Sequence, residues 1–534
     1  MAISDASLHE TEVAARPPAL MAAGMPQRIS VHRNVVANVL GGAWAALVGL
    51  AFIPMYIRYL GIESYGLIGF FATLQAWCFL LDLGLSGTLN REMARFSAGG
   101  ILAQAIRDLV KSVELLYAGI ACLVGLIVAG LSQVIARDWI NAQTLSTDDL
   151  ARAILLMGLA LAFQWMGTLY RGAFLGLHLH VWLSLMNAVM ATVRGAGAVL
   201  VMAYVSPTIV AFFVFQCVVG AVESLVLRWY LRRHLPHPLS PPRFSRKALR
   251  SVWKFAAGLA AVGVLATLLT QVDKLLLARL LPLGEFGYFT LAVTVAGALA
   301  ALIVPVTNVA YPRLSELVAI GDEAALAVQY HKFAQLVSIG VLPPATVLCL
   351  FSRQIVYLWT GDPAMADAVA PLLSVWVVGT ALNGLMHVPY AAQLAHGWPR
   401  LAIGMNAVAV VAVMPLLLIL VPRYGALAAA WIWVAINASY VLFGISAMHR
   451  RILLSQKWKW YVQDVLSPLA AGSVVAALML VLHASYPGMN QSRELSFLLA
   501  GVLALGLAMT LAVPSGRQAL YEITGYAARQ KDRL

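Results

Sequence analysis

Charged residues are scarce in this chain of 534 residues. Asp, Glu, Lys and Arg together make up 11% of it, whereas a soluble domain carries about 25%. Apolar residues make up 61% of the chain, and the mean hydropathy is +0.83. A surface with so little charge excludes a soluble globular protein. The composition therefore predicts an integral membrane protein.

Cysteine is also scarce, with four residues in the whole chain. All four lie within apolar stretches and show no paired spacing: Cys78, Cys122, Cys217 and Cys349. This pattern argues against a disulfide framework or a cysteine metal site, and it predicts small residues of the protein interior. Residues 1–30 lack a long apolar stretch and contain Pro17 and Pro18, which predicts a short flexible tail rather than a signal peptide.

The sequence contains no Gly-x4-Gly-Lys-Ser/Thr phosphate loop. Any energy that the protein uses would therefore come from an ion gradient, the membrane potential or substrate mass action. We predict no resident cofactor and no metal, with H⁺ or Na⁺ as the candidate coupling ion.

A membrane glycosyltransferase or polymerase is the less favoured alternative. Such enzymes need a carboxylate cluster or a large outer loop, and the longest outer loop, about 132–152, offers Asp138, Asp148 and Asp149 without that arrangement.

Fourteen stretches have the roughly 20 apolar residues that a helix needs to cross a bilayer core about 30 Å thick. They cover residues 35–57, 65–88, 113–131, 153–175, 181–204, 207–227, 252–277, 286–309, 332–351, 369–392, 401–421, 425–447, 465–484 and 496–513. The fold class predicted is an all-α integral membrane protein.

The net charge of +13 is concentrated in alternate loops. Basic residues follow the second, sixth and twelfth spans, whereas the opposite loops are poor in charge or acidic. Basic loops mark the cytoplasmic side, so we predict that both termini are cytoplasmic. Because the basic residues flank membrane spans, nucleic acid is not a predicted partner. Membrane lipids are, since a basic segment such as 228–254 attracts anionic headgroups.

Two sequence landmarks recur at nearly the same offset. The segment from Arg58 to Gly66 is similar to the segment from Arg279 to Gly287, 221 residues later. Met186-Asn187-Ala188-Val189 recurs unchanged at 405–408, an offset of 219 residues. Repeats of this size are typical of transporters, whose substrate path lies between the two halves. Six spans per repeat give two parallel units related by an axis along the membrane normal.

This repeat defines the predicted organisation of the chain. It consists of a flexible cytoplasmic tail (1–33), a first six-helix bundle (34–228), a basic cytoplasmic linker (229–251), a second six-helix bundle (252–448), a basic cytoplasmic loop (449–464), two appended helices (465–513) and a cytoplasmic tail (514–534).

Several short motifs, in order, resemble the polysaccharide repeat-unit flippases of the multidrug/oligosaccharidyl-lipid/polysaccharide exporter superfamily. In the first half they are Asn38-Val-Leu-Gly41, Arg58-Tyr-Leu-Gly61, Tyr65-Gly66, Leu81-Asp82-Leu-Gly84 and Asn90-Arg91. In the second half they are Gln271-Val-Asp273-Lys274, Phe286-Gly287-Tyr288, Leu358-Trp359-Thr360-Gly361, Ala395-His396-Gly397 and Tyr424-Gly425-Ala426.

The resemblance covers about residues 34–513. It implies a V-shaped pair of bundles and transport of undecaprenyl-pyrophosphate-linked oligosaccharide repeat units from the cytoplasmic to the outer leaflet. It further implies a bacterial inner membrane and, as partners, a polysaccharide polymerase and chain-length machinery. The pathway would make lipopolysaccharide or exopolysaccharide. A cation-coupled multidrug exporter of the same fold is the alternative function.

Cations within or beside the spans are the candidate substrate-binding residues: Arg194, Arg58, Arg171, Arg279 and Lys274. Arg194 lies about 20 Å into its span at 1.5 Å per residue, too deep to reach water easily. Its guanidinium suits a pyrophosphate or a sugar acid, and the alternative is an internal partner such as a buried acid. Arg58 and Arg279 occupy matching repeat positions at the outer rim, as helix-terminus residues or as a paired gate.

Four further residues are candidates for ion coupling or gating: Asp273, Asp82, Glu223 and His387. A carboxylate in a water-filled cavity can carry a coupling ion, and Asp273 is the main candidate for that role. For Asp82 we favour a salt bridge with Arg91 or Arg95. Glu223 and Arg171 are placed close to cytoplasmic helix ends, where they would line the mouth or anchor the helices. His387 is a proton carrier or a hydrogen-bonded interior residue.

Overall fold

The computed structural model describes residues 31–78, 82, 84–235, 240–246, 250, 267–268, 271–486 and 488–531, with the backbone alone for 31–36, 39 and 523–531. Within these ranges the protein is helical, and its β-structure is one isolated bridge between Asn141 and Pro282. The predicted all-α class is confirmed. Of the predicted spans, 252–277 lies largely outside the described residues, as does most of the 1–33 tail.

The described part of the first half contains seven α-helices. They are α1 (Val31–Ala51), α2 (Ile53–Cys78), α3 (Leu85–Ser97), α4 (Ala103–Val134, continued by a π-helical turn, Ile135–Trp139), α5 (Thr147–Gly176), α6 (His180–Tyr204) and α7 (Ile209–His234).

A helical stretch at 271–280 precedes the helices of the second half. These are α8 (Leu283–Gly297), α9 (Ala300–Ile320), α10 (Glu323–Leu350), α11 (Ser352–Thr360), α12 (Pro363–Leu385), α13 (His387–Ala395), α14 (Arg400–Tyr424), α15 (Ala426–Ser439, then a π-helical turn, Tyr440–Gly444) and α16 (Ile445–Met448). The remaining helices are α17 (Lys457–Lys459, then a π-helical turn, Trp460–Leu466), α18 (Ser467–Ser485), α19 (Gln491–Ala512) and α20 (Pro514–Lys531).

Ten of the described helical segments are long and apolar enough to span a membrane, or 12 if two bent pairs each count as one span. The prediction of fourteen spans is therefore not confirmed. Several predicted spans are interrupted: α1 meets α2 at 47° and α8 meets α9 at 43°. Gly61, with φ 80° and ψ 167°, breaks the helix within α2. That position falls between the first two predicted spans.

The basic loops of the first half converge at one end of the bundle, which we call the basic end. Arg228 Nε lies 2.5 Å from Glu114 Oε1, and Arg107 donates to the Leu235 carbonyl at 2.9 Å. The backbone N–H of Arg243 donates to Asp108 Oδ1 at 2.9 Å. These contacts tie the start of α4 to the end of α7 and to the segment that follows it.

The two halves meet at the opposite end, which we call the closed end, through α2 and α8. A Cβ added to Gly66 would lie 2.4 Å from the Leu283 carbonyl oxygen, and a Cβ added to Gly287 would lie 2.4 Å from the Ile62 carbonyl oxygen. Gly66 and Gly287 are matched by the 221-residue repeat, and so are Ile62 and Leu283. The contact is thus reciprocal, and it depends on two glycines that let the backbones approach closely.

The appended helices α18 and α19 pack on α10 of the second half. Asp464, which is fully buried, accepts from Gln335 at 2.8 Å and lies 2.5 Å from His331 Nδ1. Gln335 in turn accepts from the backbone N–H of Ser515 at 3.0 Å. A buried polar network of this kind fixes the position of the added helices relative to α10.

Candidate functional site

A cavity of about 730 Å³ lies between α2, α5, α6 and α7 within the first half. Its polar wall is formed by side chains from three of these helices: Arg171 on α5, Arg194 on α6, and Gln216 and Glu223 on α7. The sequence predicted three of these residues as separate candidates, and the structure brings them together. Gln216 was not predicted, because a single glutamine in an apolar stretch carries no distinctive signal.

One carboxylate joins the two arginines. Arg194 Nη2 lies 2.6 Å from Glu223 Oε2, and Arg171 Nη2 is ion-paired with Glu223 Oε1. Arg194 Nη1 also donates to Gln216 Oε1 at 3.0 Å. Arg194 therefore has an internal acidic partner, one of the two alternatives left open by the sequence.

The placement of Glu223 near a helix end was wrong. Helix α7 continues to His234, so Glu223 lies near the middle of the helix, with about 16 Å of helix beyond it at 1.5 Å per residue. The hydrophobic pattern ended the span at 227, whereas the basic residues after it extend the helix beyond the apolar region. Arg171 lies five residues before the end of α5, at the basic end.

The cluster carries a net positive charge, since two guanidiniums face one carboxylate. The Glu223 side chain is 4% exposed, whereas Arg194 and Arg171 are 22% and 39% exposed. All three side chains line the cavity, and the two arginines are more accessible than the carboxylate between them. Such an arrangement can attract an anion and repel a cation in a low-dielectric surrounding.

Uncharged groups complete the cavity wall. Gln75 donates to Gln164 at 2.7 Å across the cavity, linking α2 to α5. Trp165 lines the cavity and stacks on Tyr117 with ring centroids 4.4 Å apart. Amides and aromatic faces are groups that can contact sugar hydroxyls and sugar rings.

Asp82 has neutral partners in place of the salt bridge favoured from the sequence. Its carboxylate accepts from Ser86 Oγ at 2.8 Å and from the Tyr117 hydroxyl. Arg95, one of the expected partners, pairs with Glu92 at 3.0 Å. Gly84, in the left-handed conformation with φ 70°, precedes α3, and Asp82 bonds the first turn of that helix. Asp82 therefore tethers the start of α3 to α4.

Asp273 and Lys274 lie in the helical stretch at 271–280, away from the polar cavity wall. Asp273 Oδ1 is buried without a hydrogen-bond partner among the residues described. Lys274 donates to Gln271 at 3.2 Å. The structure does not place either residue beside Arg194, and their roles in coupling and substrate binding stay predictions.

Arg58 and Arg279 have different surroundings, and their role as helix-terminus residues or as a paired gate stays a prediction. Arg58 is exposed at the end of the first part of α2, and the Arg279 guanidinium lies 5.0 Å from the centroid of the Trp139 ring. Arg279 thus contacts the first half through an aromatic residue. His387 begins α13 in the second half and is partly buried. None of these three residues lines the cavity around Arg194.

The sequence analysis missed two structural acids. Glu63 accepts hydrogen bonds from the backbone of Gln143, Thr144 and Leu145 and holds the loop that reaches Pro282. Glu114 accepts from Tyr170 at 2.7 Å. Glu63 lies in the repeated segment, and this position could have marked it as a candidate. Its hydrogen-bond partners lie about 80 residues further along the chain, so the sequence could not identify them.

The four cysteines differ in their exposure. Cys217 is buried and Cys78 and Cys349 are partly buried, but Cys122 is exposed on α4, so the prediction of an interior position was wrong for Cys122. Asn406, from the repeated tetrapeptide, accepts from Tyr440 at 2.8 Å and links α14 to the π-helical turn after α15.

A helical membrane protein of two repeated halves, with a polar cavity inside the first of them, has the architecture of a transporter. The chain belongs to a family described as "Polysaccharide biosynthesis protein", whose sequence model matches residues 31–318. The resemblance found in the motifs is confirmed by this family membership.

Three known proteins are similar to this chain in sequence or in fold. The chain is similar to a Shigella flexneri protein named "Putative O-antigen transporter", with 20% identity over 406 residues, 76% of this chain and 94% of that protein. Its fold is similar to an inward closed structure of the lipid II flippase MurJ, with a TM-score of 0.69, 13% identity, and coverage of 90% and 98%. It is also similar to an inward-facing MATE multidrug transporter, with a TM-score of 0.60, 13% identity, and coverage of 76% and 96%.

Proposed function

We propose that this protein moves undecaprenyl-pyrophosphate-linked oligosaccharide units from the cytoplasmic to the outer leaflet of a bacterial inner membrane, with both termini cytoplasmic. The observation that supports this most directly is the net positive charge of the cavity. Two partly exposed arginines, Arg171 and Arg194, share one buried carboxylate. The site therefore attracts an anionic headgroup and repels a cation.

The substrate poses a problem of solvation. Its sugars and phosphates must cross about 30 Å of hydrocarbon while its lipid chain remains in the bilayer. A cavity lined by Gln75, Gln164 and the two arginines offers hydrogen bonds to that headgroup. Movement would proceed by alternating access, with the closed end separating at the α2–α8 contact. An inside-negative potential favours outward transfer of an anion by about 2.3 kcal/mol per charge per 100 mV.

The coupling ion belongs to the same proposal. A proton or a sodium ion moving inward through Asp273, or through Glu223, would add to the driving force supplied by the potential. Delivery to the outer leaflet would supply a polysaccharide polymerase and its chain-length machinery.

A cation-coupled multidrug exporter is the second candidate, because the fold is also similar to MATE transporters. A site for cationic drugs needs an excess of acid. In the polar wall of this cavity the basic groups exceed the acidic ones by two to one, which favours the anionic substrate.

The test is flipping of a fluorescent polyprenyl-pyrophosphate oligosaccharide in proteoliposomes, followed by leaflet-specific quenching. Arg194→Gln removes a charged hydrogen-bond donor and should reduce the rate by at least about tenfold. Arg313→Gln is the matched control, since Arg313 is an exposed arginine paired with Glu316 outside the cavity. Normal flipping by Arg194→Gln would contradict the assignment of the site.

A further inference from the structure

We propose that Glu223 is an internal counter-anion, which phosphate groups of the substrate displace from Arg171 and Arg194. Glu223 would then determine which anions the cavity accepts. This inference rests on the proposed function, because it takes a phosphate-bearing headgroup as the ligand.

Neither arginine makes a two-point contact with the Glu223 carboxylate. Each donates to the Glu223 carboxylate through a single nitrogen, its Nη2. A guanidinium can offer two parallel N–H groups to one anion, and that two-point geometry is its strongest mode. Arg171 Nε is buried and has no hydrogen-bond partner among the described residues. The Arg–Glu–Arg arrangement therefore leaves one positive charge uncompensated and does not saturate the donors.

A phosphate group matches the donors better than a carboxylate does. The carboxylate of Glu223 has two oxygens, and each is committed to a different arginine. A diphosphate has more acceptor oxygens and more charge, so it can engage both guanidiniums with two contacts each. Exchange of one anion for another keeps both guanidiniums compensated, and the released Glu223 carboxylate takes up a proton, because a buried carboxylate without a partner would be strongly unfavourable.

Access to the site favours this exchange. The arginines and Glu223 all line the cavity, and the arginines are partly exposed, whereas Glu223 is 4% exposed. An incoming anion meets the guanidiniums first. The other polar groups around the carboxylate are Gln216, which already accepts from Arg194, and Ser224, which donates to the Phe163 carbonyl. Neither is a second acid, so Glu223 is the competing anion in this part of the described structure.

Competition also explains selectivity. A neutral or cationic solute cannot replace Glu223, because removing the carboxylate would leave two arginines unpaired. A ligand with a single weak acceptor binds the two arginines no better than the Glu223 carboxylate does. Only an anion with several acceptor oxygens improves on it, which selects phosphate and diphosphate headgroups.

The experiment is titration of the purified full-length protein in lipid nanodiscs with inorganic pyrophosphate, by calorimetry. Glu223→Gln keeps the side-chain shape and removes the competing charge, so pyrophosphate should bind about tenfold tighter or better. Arg194→Gln should abolish binding. The matched control is Glu114→Gln, because Glu114 is also a buried acid close to two arginines, Arg228 at 2.5 Å and Arg232 at 3.5 Å, but it lies outside the cavity.

Tighter binding by Glu223→Gln, with Glu114→Gln unchanged, would support the proposal. Unchanged or weaker binding by Glu223→Gln would overturn it, because Glu223 would then orient the arginines for the ligand. If Glu223→Gln does not fold, Glu223→Asp provides the same test. Its shorter side chain cannot reach both arginines, so its affinity should also exceed that of the wild type. Tighter pyrophosphate binding without flipping of any lipid-linked sugar would refute the proposed substrate and still support this role of Glu223.

Discussion

The reciprocal glycine contact between α2 and α8 makes a quantitative prediction about the closed end. In Gly66→Ala the new Cβ would lie 2.4 Å from a backbone oxygen, that of Leu283. Ordinary contact requires about 3.5 Å, so the helices must separate by about 1 Å. Backbone cannot move aside as a flexible side chain can. Overpacking of this kind costs about 1–3 kcal/mol, which would lower the ratio of closed to open protein by about 5–150-fold.

The assay is the distance between spin labels at Tyr204 and Tyr424. Both positions are exposed, and they lie on different halves at the ends of α6 and α14. Gly66→Ala and Gly287→Ala should both shift the distance distribution toward longer values. Gly284→Ala is the matched control on the same helix, because the nearest atom to its added Cβ is 4.0 Å away. An unchanged distribution in Gly66→Ala would refute the role of this contact in closure.

Two further predictions concern acids that the sequence did not single out. Glu63→Gln should speed amide exchange in residues 141–146, because the carboxylate that orders this loop is weakened; Asp148→Asn, a change at an exposed position, is the control, and equal exchange in both variants would argue against the tether. His331→Ala removes one of the two hydrogen-bond partners of the buried Asp464 carboxylate and should lower the free energy of unfolding by about 1.5–3 kcal/mol. Asp367→Asn breaks the exposed Arg353–Asp367 pair and should cost less than about 1 kcal/mol, so similar unfolding free energies for the two variants would contradict this account.

The repeat was visible in the sequence, but its structural meaning was not. Matching Tyr65-Gly66 with Phe286-Gly287 shows that the two segments share an environment. It cannot show that the two segments pack against each other. The glycines face carbonyl oxygens across a contact between residues more than 200 positions apart, and the pattern of a single segment carries no information about that partner.

Interrupted helices explain why the count of spans was not confirmed. Hydropathy remains high through Phe52, Leu299 and Met386, where the helices bend or restart. A window average follows the apolar composition and is insensitive to backbone direction. Breaks marked by Gly61, Gly84 and Gly425 are more accessible to prediction, since these glycines adopt positive φ.

The candidate site was predictable in part. A deep arginine in an apolar span is costly, so Arg194 was identifiable from its position alone. Its partnership with Glu223 depends on the packing of α6 against α7, and the predicted end of the sixth span placed Glu223 too near the surface. Arg171 comes from a third helix. Charges that converge from different helices can be recognised individually in a sequence, while their distances are fixed only by the fold.

The central claim is that the substrate is an anionic lipid-linked oligosaccharide, and one comparison tests it most directly. Wild-type protein in a single preparation of proteoliposomes would be offered a fluorescent polyprenyl-pyrophosphate oligosaccharide and, separately, a fluorescent cationic drug. We expect flipping of the lipid-linked sugar, faster with an inside-negative potential, and no accumulation of the drug. Transport of the drug without flipping of the lipid-linked sugar would contradict the claim and establish the multidrug exporter instead.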